Sequence, residues 1–210
     1  TQPDSTQATV SAAVSSPSDA FDVPAPNVGL YNLTAGKIIY EKKADEKISP
    51  ASLAKILTAV TALTYMKSDT VITVGSELDL LPKGSSICLI AKGHKLTLYD
   101  LITGMLLASG NDAAYTIGVN VARLVSGSEN LSDREALDYF AELMNRIAYM
   151  LGCVNSNFKN PDGFDADGQY TTASDVAKII KYALNYHLFS EAFSAGQVTL
   201  TATDQNKERS

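Results

Sequence analysis

With 210 residues, 45% of them hydrophobic, the chain can build a substantial core in one or two domains. A net charge of −6 and a pI near 4.9, with no basic run of five or more, weigh against a nucleic-acid partner. No stretch approaches the roughly 18 apolar residues that span a bilayer. The two cysteines, Cys88 and Cys153, form neither a CxxC pair nor a metal-binding set, so a bridge and two reduced thiols both remain open.

Residues 1–26 differ in composition from the rest of the chain. Ser, Thr, Ala and Pro supply 17 of these 26 positions, four of the seven prolines lie here, and Lys and Arg are absent. This is the composition of a flexible leader or linker, without the basic start and apolar centre of a signal peptide. A folded domain is expected over residues 27–210.

Within it, "VGLYNL" and "KIIYEK" flank a turn closed by Gly36, the pattern of a hairpin. Ser49 and Pro50 read as an N-cap and first-turn proline of a helix running to about Met66. "TVITV" at 70–74 is a short strand. Thr97 three residues before Asp100 forms a capping-box pattern that starts a helix reaching about Ala108. Further helices are expected at 113–124 and, capped by Ser132 and Glu135, at 133–151. After a polar loop rich in turn residues, Thr172 and Asp175 cap another helix to about Tyr186. "QVTLTAT" near the end alternates like a strand. The order predicts a mixed α and β protein with a large helical part.

The helix at 50–66 carries the first chemical signal. Leu53, Ile56, Leu57, Val60 and Leu63 recur at helical spacing, and the opposite side holds Ala54, Thr58, Ala59, Thr61, Ala62 and Met66. A helix apolar or small nearly all round is a buried one. Yet Lys55 lies inside it, three residues after Ser52 and therefore on the same face. Burial favours the neutral amine, which can take the proton of a neighbouring serine and make it a nucleophile without histidine. A helix start also offers backbone N–H groups to a developing oxyanion. S-x-x-K alone does not decide the matter, because Lys55 could snorkel to the surface and because the chain holds a second copy, Ser156 to Lys159, in the polar loop.

A second motif, Ser109-Gly110-Asn111, comes 57 residues after Ser52 at the end of the 98–108 helix. It could serve as a helix cap and turn. However, S-x-x-K followed by S-x-N is the order used by penicillin-recognising serine enzymes. The surrounding stretches extend the likeness. "TAGKIIYEKKADEKISPASLAKILTA", "LTLYDLITGMLLASGNDAA" and "MNRIAYMLGCVNSNFKNPDGF" with "YTTASDVAKII" resemble the D-alanyl-D-alanine carboxypeptidases, the low-molecular-mass penicillin-binding proteins, over about residues 28–185. Neighbouring classes match less well: Gly110 stands where a class A β-lactamase has Asp, and neither Y-x-N nor G-x-S-x-G occurs. His94 and His187 fall in no motif with an acid.

The resemblance implies an α+β fold of the serine β-lactamase and penicillin-binding-protein type, with a helical lobe against an antiparallel sheet that is incomplete in this chain. It implies that Ser52 attacks the carbonyl between the terminal D-alanines of a peptidoglycan stem peptide, with Lys55 as general base. Ser109 would relay a proton to the leaving amine, and Asn111 would hydrogen-bond Lys55 or the substrate amide. β-Lactam antibiotics would be captured at Ser52. No metal, cofactor or nucleic acid is implied, and the site of action would be extracytoplasmic, at the bacterial cell wall or the outer face of the cytoplasmic membrane. The family's usual C-terminal membrane anchor would lie outside these residues, with the leader as a tether from the other side.

One departure stands out. The third motif of the family, K-T-G or a close variant, supplies a cation for the substrate carboxylate and a second oxyanion N–H. No K-T-G, K-S-G or H-T-G occurs in the 210 residues. The resemblance places it beyond the end of this chain, together with the last three strands. Acylation by the 210-residue chain is then expected to be slow, since one lost oxyanion donor lowers a rate about 10²- to 10³-fold. The competing reading is a non-catalytic wall-peptide-binding or structural relic. "DGFDADG" at 162–168 hints at calcium, but an EF-hand register puts Gly163 and Ser174 where Asp and Glu belong.

Overall fold

The computed structural model describes residues 23–194, 200 and 202–204. Most of the leader and most of "QVTLTAT" lie outside the described residues. Two strands, β1 (Val28–Asn32) and β2 (Lys37–Lys42), form the expected antiparallel hairpin, with a register shift between Leu30 and Tyr31. Its turn closes where the Asn32 side chain accepts from the Ala35 N–H and Gly36 takes φ +62°. A second antiparallel sheet has the order β3 (Val71–Thr73), β4 (His94–Thr97), β5 (Thr203–Asp204). Strand β4 is not expected from the sequence, because four residues leading straight into a helix are too short to show a period.

The helical lobe is built on α1 (Ala54–Tyr65), in which nine of twelve residues are buried. Leu57, Ala59, Val60 and Ala62 face the core with no exposure, and small residues on the other side let neighbouring elements approach. Around it pack α2 (Leu98–Leu107), α3 (Asn111–Ser126), α4 (Asp133–Met150) and α5 (Ala173–Ala183). Met105, Ile117, Phe140, Met144 and Phe158 complete a single hydrophobic cluster. The capping boxes at Thr97/Asp100 and Ser132/Glu135 form as read, each satisfying two backbone donors that the first turn leaves without partners. Gly127 at φ +66° ends α3, where a left-handed residue is required.

Two expectations are corrected. Ser49 does not cap α1. A 3₁₀ turn at Ala51–Leu53 precedes the helix, and the Ser49 hydroxyl donates instead to Asp165 Oδ1 at 2.7 Å. The helix expected to reach Tyr186 breaks after Ala183, and a separate α6 (His187–Ser194) comes next. Burial of Leu188, Phe189 and Ala192 in the core redirects the chain there, overriding a period that would continue α5 into solvent. Both cysteines are free thiols.

The loop at 152–172 is irregular but tightly tied. Asn145 on α4 brackets Phe158, donating to its carbonyl and accepting from its N–H, both at 2.8 Å. Asn157 and Tyr170 exchange backbone bonds, as do Ile48 and Thr171. Thr58 on α1 donates to the Pro161 carbonyl at 2.7 Å. The loop is thereby pressed onto the start of α1.

Candidate active site

Ser52 is the middle residue of the 3₁₀ turn and is exposed, one turn ahead of Lys55, which is only 2% exposed. The spacing of three that predicts a shared face places Lys55 Nζ 3.0 Å from Ser52 Oγ. Lys55 therefore does not snorkel. Its pKa is lowered from the ordinary lysine value because burial strips water from the charged form, an effect opposed by the Asp162 carboxylate.

Ser109 lies in the link between α2 and α3, and Asn111 opens α3. Ser109 adopts a left-handed conformation, φ +53°, which turns its hydroxyl to within 2.8 Å of Ser52 Oγ and 3.3 Å of Lys55 Nζ. Two hydroxyls and one amine thus form a closed triangle. Gly110 fits because a Cβ there would lie 2.8 Å from Asp112 Oδ1 and 3.0 Å from Cys88 Sγ. Buried Asp112 accepts the N–H groups of Cys88 and Ile90, and the Asn111 N–H reaches the Ser86 carbonyl. These bonds hold the 85–90 segment beside the motif.

The Asn111 amide nitrogen is engaged by Asp162 and Ser85 rather than by Lys55. This Nδ2 donates to Asp162 Oδ2 at 2.7 Å and to Ser85 Oγ at 3.1 Å, and Lys55 directs a proton to the Asp162 backbone carbonyl at 3.0 Å. Asp162 is the site residue that sequence reasoning missed. It lies 107 positions from Lys55 in the turn-rich loop whose composition hints at calcium, and no spacing rule connects the two. Its neighbour Gly163, at φ +81°, is required by the fold: a Cβ there would overlap the Ala51 carbonyl oxygen, in the turn that carries Ser52.

A cleft of about 290 Å³ opens over these groups, lined by Ser52, Lys55, Ser85, Asn111, Asp162 and Phe164. A larger hollow of about 390 Å³ lies between the hairpin and α5, but the Lys178 amine at its edge is taken up by Asp175 and the Gly152 carbonyl. The second S-x-x-K is structural. Ser156 Oγ donates to Asp175 Oδ2 at 2.8 Å and meets Thr171 Oγ1 at 2.9 Å, tying the loop to α5.

Comparison with known proteins shows the family. The D-alanyl-D-alanine carboxypeptidase family matches residues 11–207. This chain belongs to that family. It is 34% identical over 173 residues to the carboxypeptidase DacC of Escherichia coli (strain K12), covering 76% of this chain and 40% of that protein. It is 33% identical over 157 residues to DacF of Bacillus subtilis (strain 168), covering 72% and 36%. The crystal structure of the Streptomyces K15 DD-transpeptidase superposes with a TM-score of 0.70 at 28% identity, over 77% of this chain and 61% of that one. The chain thus spans about two fifths of the length of the curated relatives it matches. The α+β fold read from the sequence is that of the DD-peptidases, with helices packed against small antiparallel sheets.

Proposed function

We propose that the chain carries the acylation site of a serine D-alanyl-D-alanine carboxypeptidase acting on peptidoglycan stem peptides. The observation that supports this most is the buried Lys55 amine held 3.0 Å from the Ser52 hydroxyl. Neutral Lys55 takes the Ser52 proton as Oγ attacks the carbonyl between the two terminal D-alanines. The Ser52 N–H, at the start of a helical turn, faces the developing oxyanion. Ser109, in contact with both Ser52 and Lys55, passes the proton on to the departing D-alanine amine as the C–N bond breaks. Water then hydrolyses the Ser52 ester and restores the hydroxyl. A β-lactam enters by the same attack, its ring amide opening onto Ser52. The proposed place of action is extracytoplasmic, where such peptides occur.

The competing reading is a site that binds wall peptide without turning it over. Incubation with a peptide ending in D-Ala-D-Ala separates the two. The proposal predicts release of one D-alanine per peptide and its loss in Ser52→Ala. Binding of the peptide with neither release nor an ester at Ser52 favours the second reading. Release that persists in Ser52→Ala contradicts the proposed nucleophile.

A further inference from the structure

We propose that Asp162 is a positioning residue of this site, its backbone carbonyl and its carboxylate fixing Lys55 and Asn111 at the same time. The inference rests on the acyl-enzyme reading above and concerns how the base and the amide acquire their working orientation.

A neutral lysine amine has two N–H donors and one lone pair. The Lys55 amine has three neighbours in hydrogen-bond range: Ser52 Oγ at 3.0 Å, Ser109 Oγ at 3.3 Å and the Asp162 carbonyl at 3.0 Å. A carbonyl can only accept, so one N–H is committed to Asp162. With the other on Ser109, the lone pair is left directed at the Ser52 hydroxyl, which is the arrangement general-base attack needs.

The carboxylate does the same for Asn111. Ser85 uses its hydroxyl proton on the Pro82 carbonyl at 2.7 Å, so toward Asn111 it is an acceptor. Ionised Asp162 is also an acceptor. Both hydrogens of the Asn111 amide nitrogen are therefore taken, and the amide cannot flip without losing two bonds. Its side-chain oxygen is the group left to receive a substrate amide N–H.

Asp162 is itself firmly held. It is 2% exposed, its Oδ1 accepts from the Phe164 N–H, Thr58 holds the preceding carbonyl and Gly163 packs against Ala51. Its carboxylate is faced by Lys55 of α1 and by the Tyr115 phenol of α3, which burial and the charge of Asp162 push up to about 12. Burial raises the pKa of Asp162, and the Lys55 charge opposes the rise.

Two variants test the assignment, read as the rate of acylation by a fluorescent penicillin against pH, with the parent and Ser52→Ala alongside. Asp162→Asn keeps an acceptor for Asn111 but removes the anion that raises the Lys55 pKa. Its acid limb is expected at lower pH than the parent's. Asp162→Ala removes the Asn111 anchor and is expected to acylate on the order of 10²-fold more slowly, as misplaced groups do. A residue needed only for folding would change the melting temperature and leave the pH limb where it was. An unmoved limb in Asp162→Asn, or an unchanged rate in a folded Asp162→Ala, overturns the proposal. Should Asp162→Ala fail to fold, the Asp162→Asn limb decides alone. A parent that is not labelled, or a Ser52→Ala that is labelled equally, removes the acyl-enzyme reading and this proposal with it.

Discussion

Lys55→Met is expected to lower the rate of Ser52 acylation by about 10²- to 10⁴-fold, the range general-base catalysis supplies, without lowering the stability of the fold. The two effects part because Lys55 is a functional amine in a structural position. Its stem runs through a helix whose neighbouring residues are buried, and methionine fills similar space without a group that must be dehydrated. The pH dependence has a definite sign. Burial lowers the Lys55 pKa, so acylation by the parent rises with pH as the amine becomes neutral, and levels off below the ordinary lysine value of 10.5. Stability has the same sign. The folded state binds the proton less readily than the unfolded chain does, so burying the charged amine costs most at low pH. That cost is relieved as pH rises from the lowered value toward 10.5. Both slopes should vanish in Lys55→Met. A variant that labels at the parent rate, or retains the parent pH limb, would show that another group is the base.

Gly163→Ala is expected to damage both fold and site. The left-handed backbone alone makes any side chain unfavourable by about 1–3 kcal/mol. The new Cβ would also overlap the Ala51 carbonyl and push on the turn that carries Ser52. A drop in Tm of roughly 5–10 °C is expected for a chain of this size, with acylation reduced on the order of 10²-fold by displacement of the nucleophile. Gly127→Ala is the informative companion. It has the same sign of φ, +66°, with nothing within 4 Å of the added carbon. It should show the backbone term in Tm and leave acylation unchanged. Equal effects of the two substitutions on acylation would contradict the close approach of Gly163 to the Ser52 turn.

What was legible in the sequence was local. Capping boxes announce themselves within four residues, and the hairpin turn, the buried α1 and the Ser52–Lys55 face are set by short periods. The convergence of Ser109 on Ser52 was reachable only through motif order, because 57 residues and a change of helix separate them. Its geometry depends on a left-handed serine that no propensity favours. The break between α5 and α6 was hidden because core burial of Phe189, not a turn signal, sets it. Asp162 was hidden for a related reason. Its role comes from a loop folded back onto α1 by Thr58 and Asn145, and the local sequence shows only turn chemistry. The motif brings Asn111 to the cleft, but its contacts with Ser85 and Asp162 were not legible, since those residues come from loops whose paths the sequence does not disclose.

Everything proposed for the site depends on Ser52, and not the other serine with a lysine three residues later, being the acylated nucleophile. Peptide mapping by mass spectrometry after reaction with a penicillin tests this most directly, applied to the parent, Ser52→Ala and Ser156→Ala. A covalent adduct is expected on the peptide containing Ser52 in the parent and in Ser156→Ala, and none in Ser52→Ala. An adduct on Ser156, or one that survives in Ser52→Ala, would contradict the assignment.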